Sequence, residues 1–105
     1  MNSGMIKVSA LYPNGEGHTF DVDYYTQKHI TMVGDLLGDA MKGGEMEKGL
    51  GGPEGSPAAY LFMSHMYFDS MEAFEASFGP NAGTIMADIP NYTNTQPVIQ
   101  ISQVV

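Results

Sequence analysis

The residues of this chain best suited to chemistry are two histidines and the tyrosines around them. His29 falls in the stretch Phe20 to Gly38, FDVDYYTQKHITMVGDLLG, four positions after Tyr25. An imidazole can take or give a proton near neutral pH, and a phenol one helical turn away can orient a carbonyl or phenolic oxygen. His29 is therefore the candidate general acid or base and Tyr25 its candidate partner. His65, inside AYLFMSHMYF (Ala59 to Phe68), would assist if its side of a strand looked into the same cavity. Tyr24, Met32, Met63 and Tyr67 are the candidate ligand contacts, and nine methionines suit an adaptable apolar cavity. His18 fits a loop. The structural use of His29 would be a buried imidazole bonded to a backbone carbonyl or a tyrosine.

These residues need elements to position them. At 100° per residue Val22, Tyr25, His29, Met32, Val33 and Leu36 form one apolar stripe, which predicts a helix from Phe20 to Gly38. Asp21 suits its N-cap, Asp23 its first turn, Gly38 its end, and Phe20 a staple against Tyr25. Before it, Met5 to Tyr12 alternates as a strand, followed by turn chemistry at Pro13-Asn14-Gly15. After it, Asp39 to Leu50 fits an edge strand with a bulge at Gly43-Gly44, and GLGGPEGSP (Gly49 to Pro57) a long loop able to move over a pocket. Ala59 to Phe68 is apolar on both sides, as a central strand is, with Leu61, Met63, His65 and Tyr67 sharing one face. Capping chemistry at Asp69-Ser70-Met71-Glu72 opens a second helix, broken at Gly79-Pro80 and continued through Ile85, Met86 and Ile89. A polar loop, Pro90 to Pro97, leads to a last strand, Val98 to Val105.

The order β-α-β-β-α-β predicts an α+β, ferredoxin-like domain, an antiparallel sheet with its helices on one face. Residues 1–105 form one domain, with Met1 to Gly4 expected to be a disordered leader. Because the third and fourth strands stay apolar on the uncovered face, two subunits are expected to pack sheet to sheet as a homodimer, a dimeric α+β barrel.

Composition narrows the function. Twelve carboxylates face four lysines and no arginine, a balance that disfavours nucleic acid and strongly anionic ligands. No cysteine is present, which removes disulfides and thiolate catalysis and fits a cytoplasmic setting. No apolar run is long enough for a membrane span. The three histidines fall in no HxH, HxxxH or HExxH pair, and no GxGxxG or P-loop occurs, so neither metal nor cofactor is expected. A haem would have to take His29 or His65 as its axial ligand.

Tyr24-Tyr25-Thr26-Gln27-Lys28-His29, the Phe78-Gly79 break, Asp88-Ile89-Pro90-Asn91-Tyr92-Thr93 and the Pro97-Val98-Ile99-Gln100-Ile101 strand resemble the ethyl tert-butyl ether degradation (EthD) family. The resemblance runs from Met5 onward and implies membership of the dimeric α+β barrel superfamily, whose relatives include cofactor-independent quinone-forming monooxygenases, muconolactone isomerases and polyketide cyclases. It implies a pocket between the first helix and the sheet and singles out His29 with the tyrosines before it. Relatives often carry a proline two positions after the histidine; Thr31 here lets the helix run on. The expected function is to hold a small, largely uncharged organic or aromatic molecule, as an oxidoreductase or isomerase in organic-compound degradation with His29 in acid–base work. The alternatives are a non-catalytic carrier and a dimeric scaffold with a structural His29.

Overall fold

The computed structural model describes residues 2–105. Alternation of apolar side chains builds four strands, β1 (Ile6–Pro13), β2 (Gly43–Lys48), β3 (Tyr60–Phe68) and β4 (Val98–Gln103), in one antiparallel sheet ordered β2-β3-β1-β4. Helix α1 (residues 22–37) connects β1 to β2, and α2 (Met71–Phe78) with α3 (Ala82–Ala87) connects β3 to β4. This is the expected ferredoxin-like βαββαβ arrangement, with the helices on one face. Ile6 and Val8 of β1 and Phe68 of β3 meet Val33 and Leu37 of α1 and Ile85 of α3 in the main core. Phe68 is fully buried against Phe74 at 5.1 Å between ring centroids, the kind of contact whose truncation to alanine costs about 3–5 kcal/mol.

The first helix starts as its sequence dictates. Asp21 accepts from the Tyr24 N–H at 3.0 Å, and the Phe20 ring lies 5.5 Å from that of Tyr25. Its interior departs from an ideal helix. Tyr25–His29 forms a π-helical turn in which the Ile30 N–H reaches back to the Tyr25 carbonyl, five residues away. The wider turn shifts the phase of the helix toward its end. Leu36, expected on the inner stripe, is 37% exposed, whereas Leu37 is 5% exposed. The helix runs through Thr31 without a break, and Gly38 ends it at φ 58°, a conformation that favours glycine.

Ser70 caps α2 by accepting from the Ala73 N–H at 3.1 Å, and Gly79-Pro80 opens a tight turn that leads into α3. The bulge expected at Gly43-Gly44 is replaced by unbroken pairing to Tyr67 and Met66; the register shift falls at Tyr12/Pro13 instead. At Gly49 the Tyr60 carbonyl passes so close that an added Cβ would lie 2.0 Å from its oxygen, so only glycine fits. Of the expected leader, Met1 lies outside the described residues, and Gly4 donates to the Val104 carbonyl at 2.7 Å.

The face of the sheet turned away from the helices is less apolar than expected. It carries Lys7, Ser9 and Leu11 beside Tyr67, His65 and Met63 of β3 and beside Ser102, Gln100 and Val98 of β4. Register explains the difference. Ile99 and Ile101 pair with Ala10 and Val8, whose side chains look toward the helices, so the isoleucines of β4 turn the same way.

Candidate functional site

The main core meets a second, aromatic cluster of Tyr12, Tyr25, Phe62 and Tyr92, and between them a cavity of roughly 190 Å³ remains under α1. Its walls are apolar, from Val33, Met66, Phe78 and Ile85 among others, and two more lining residues, Met86 and Ile99, are about half exposed and mark its mouth. The polar groups that line it are His29, Tyr12, Tyr25, Tyr92 and Ser64; no lysine, arginine, aspartate or glutamate does so.

His29 is 3% exposed and lies between two aromatic rings, Tyr92 at 4.7 Å and Tyr25 at 4.9 Å. Its Nδ1 is 2.8 Å from Oδ2 of Asp88. The other carboxylate oxygen, Oδ1, accepts from the Tyr24 hydroxyl at 2.7 Å and from the Asn91 amide at 2.9 Å. Burial pushes the Asp88 carboxyl up, but the hydrogen bonds from Asn91, Tyr24 and His29 together outweigh it and hold the group below its ordinary value of 3.8. An ionised carboxylate only accepts, so the proton of a neutral His29 sits on Nδ1. That leaves the Nε2 lone pair for the cavity, the arrangement a general base needs.

Local structure fixes this pair although 59 residues separate its members. Asp88 precedes a single tight turn, Ile89–Asn91, and the chain beyond it is pinned to the start of α1. Asp21 donates its N–H to the Tyr92 carbonyl at 2.7 Å, Phe20 bridges Thr93, and the Thr93 hydroxyl donates to the Thr19 carbonyl at 2.6 Å. The segment carrying Asp88 and Tyr92 therefore moves with the helix carrying His29 and Tyr25.

The candidates read from sequence divide into three groups. His29 and Tyr25 line the cavity together. Tyr24 lies behind it, holding Asp88, and Met32 packs into the main core. His65, Met63 and Tyr67 stand on the opposite face of the sheet and do not meet His29. There His65 spends both nitrogens, donating from Nε2 to Glu47 at 2.9 Å and accepting at Nδ1 from Ser9 at 2.7 Å, while the Tyr67 hydroxyl donates to Glu45. The loop from Gly49 to Pro57 contributes nothing to the cavity lining. His18, as expected, is a loop residue, donating to the Pro13 carbonyl.

Asp88 and Ser64 were not singled out from sequence, and Tyr12 and Tyr92 stood only among the chain's six tyrosines. Only the motif Asp88 to Thr93 pointed toward two of them. Burial pushes the phenols of Tyr12, Tyr25 and Tyr92 well above the ordinary tyrosine value, so all three stay protonated donors. Among the described residues, no group of three or more histidine, aspartate or glutamate side chains comes together to hold a metal. Among them, too, no helix is long and apolar enough to cross a membrane.

A ferredoxin-like sheet whose helices enclose an apolar cavity beside a carboxylate-bound histidine defines a class of small α+β pocket proteins. Within that class the chain belongs to the EthD family, whose domain matches residues 14–96. It is 44% identical to an EthD-like protein from Ralstonia eutropha JMP134, across 99% of this chain and 95% of that one, with a TM-score of 0.92. An ethyl tert-butyl ether degradation family protein from Bacillus halodurans C-125 is 18% identical across 96% of this chain and 99% of its own, with a TM-score of 0.71. A dimeric ferredoxin-like protein of unknown function from Thermobifida fusca YX is 19% identical across 99% of this chain and 93% of its own, with a TM-score of 0.58. The last two share the fold. No functionally curated protein matches the chain.

Proposed function

We propose that this protein binds a small, uncharged organic molecule in the cavity under α1 and exchanges a proton with it through His29. The observation that carries the reading is a buried imidazole with Nδ1 committed to Asp88 and Nε2 left for an apolar cavity. When Nε2 takes a proton from the ligand, the imidazolium forms 2.8 Å from a carboxylate, so the new positive charge is paired where it arises. The chemistry needs no bound cofactor, and it suits isomerisation, cyclisation or activation of an acidic organic compound toward an oxidant. Tyr25 positions the ligand, and Tyr24 and Asn91 act through Asp88 as positioning residues.

The protein works as a homodimer in a cytoplasmic setting, joined through the sheet face that bears Leu61, Met63 and His65. The dimeric ferredoxin-like relative from Thermobifida fusca supports the pairing. Crystals soaked with a panel of small aromatic and lactone compounds test the site. Density within hydrogen-bond reach of His29 is the expected result; a cavity that takes none of them overturns the reading. A chain that sediments as a monomer at micromolar concentration overturns the dimer.

A further inference from the structure

The hydroxyl groups beside His29 have more protons than they can share among themselves. Tyr12 and Tyr92 approach at 2.7 Å between hydroxyl oxygens. The Tyr25 ring lies 6.0 Å from that of Tyr12 and shares the cavity wall with Ser64, and the hydroxyls of both act on its ionisation. Even with every neighbour in the series Tyr92, Tyr12, Tyr25, Ser64 bonded to the next, four donors make at most three bonds among themselves. Among the described residues the hydrogen bond between Tyr12 and Tyr92 is the one found for these four hydroxyls. At least one O–H is therefore left over, and three of these side chains are 2–3% exposed with their rings against the cavity. A hydroxyl proton left without an acceptor beside the cavity is one that a ligand oxygen can pair.

The charge of the cavity narrows the ligand further. With no cationic side chain in the lining, a permanently ionised carboxylate or phosphate would enter without a partner. A neutral phenol fits both demands. Its oxygen accepts from the spare hydroxyl, and its own O–H donates to Nε2 of His29, which the rings of Tyr25 and Tyr92 flank at 4.9 and 4.7 Å. Size agrees as well, since an apolar cavity of about 150 Å³ holds one benzene ring and this one has roughly 190 Å³.

Resting on the pocket reading above, we propose that the Tyr12, Tyr25, Tyr92 and Ser64 hydroxyls form a recognition site for the oxygen of a neutral phenol, held between them and His29. Transfer of the phenol proton to Nε2 then gives a phenolate and an imidazolium. The spare hydroxyl bonds the phenolate oxygen and Asp88 pairs with the imidazolium, so neither new charge is left uncompensated.

Titration of the full chain with p-cresol and with p-xylene, its isostere without the hydroxyl, tests this. Methyl resonances of Met66 and Met86, which line the cavity, report occupancy. The expected result is p-cresol binding at least about tenfold more tightly, equivalent to about 1.4 kcal/mol. In the variant Tyr12→Phe, Tyr25→Phe, Tyr92→Phe and Ser64→Ala, which removes all four hydroxyls, the preference is expected to shrink while p-xylene affinity stays; an undiminished preference overturns the hydroxyl site. Equal affinities in the unmodified chain overturn the hydroxyl site and leave the pocket standing. Failure of both ligands to shift either methyl overturns the pocket as well. Binding of 4-methylbenzoate as tightly as p-cresol overturns the restriction to neutral ligands. The unmodified-chain arm needs no variant to fold.

Discussion

Two histidines of this chain each hold a carboxylate, on opposite faces of one sheet, and they are not equivalent. His29 is clamped through Nδ1 by Asp88, whose side chain is 16% exposed, and keeps Nε2 beside a cavity. His65 sits between Glu47, 45% exposed, and Ser9, with a partner on each nitrogen, and it is not among the residues lining the cavity under α1. A carboxylate neighbour therefore does not mark a histidine as reactive. What distinguishes His29 is an uncommitted nitrogen facing space that a molecule can enter. The aromatic cluster creates that space, because Tyr12, Tyr25 and Tyr92 pack edge to face and do not fill the volume beneath α1.

The largest expected effect separates the two histidines by function. In a turnover assay, His29→Gln is expected to lower kcat by about 10²- to 10⁴-fold, the usual contribution of a positioned general base. His65→Gln is expected to stay within about twofold, because the change lies on the face of the sheet away from the cavity. A comparable loss in both would erase the distinction. Next in size is stability. Asp88→Ala leaves the buried Nδ1–H of His29 without an acceptor, an expected loss of about 1–3 kcal/mol. For a domain of this size that lowers Tm by about 4–8 °C per kcal/mol, readable by calorimetry.

How much of this was legible beforehand follows from which contacts are local. The caps at Asp21 and Ser70, the strand alternation, the family motifs and the ferredoxin-like order depend on neighbours in sequence, and residues 6–103 adopt them. His29 and Tyr25 were found because they share a helix. Asp88 was missed because its partner lies 59 positions away, and nothing about an isolated aspartate ahead of a turn tells a clamping carboxylate from a solvated one. His65 could not be assigned a face, since the period of a strand gives alternation without saying which side is covered. The π-helical turn was invisible for a related reason. It adds one residue to a helix whose apolar pattern, Val33 then Leu36 and Leu37, accommodates either phase.

A smaller effect separates the two pairs by pH. Asp88 has a folded-state pKa below its ordinary value of 3.8, so on acidification the unfolded chain binds its proton first. The stabilisation is present above 3.8 and is lost as pH falls through the lower folded value. The Tm advantage of the unmodified chain over Asp88→Asn is therefore expected to be full near pH 5, as the linkage requires, and to shrink below 3.8. An advantage that persists undiminished at the lowest pH where the chain stays folded would show that Asp88 acts through packing and not through its charge.

The smallest effect belongs to the His65–Glu47 pair and depends on what covers it. With Glu47 nearly half exposed in the single chain, an ion pair or charge-assisted bond there contributes only about 0–1 kcal/mol and is weakened by salt. Glu47→Gln is accordingly expected to change Tm little at low protein concentration and high ionic strength. A sheet-to-sheet dimer would move the same pair into an interface, where water no longer screens it and removing one member leaves a buried partner unsatisfied. The cost of Glu47→Gln should then rise with protein concentration and lose its dependence on salt. A cost that stays small and salt-sensitive when the chain is dimeric would place the second subunit elsewhere, on the β4 edge where Ile99 and Ile101 are about half exposed.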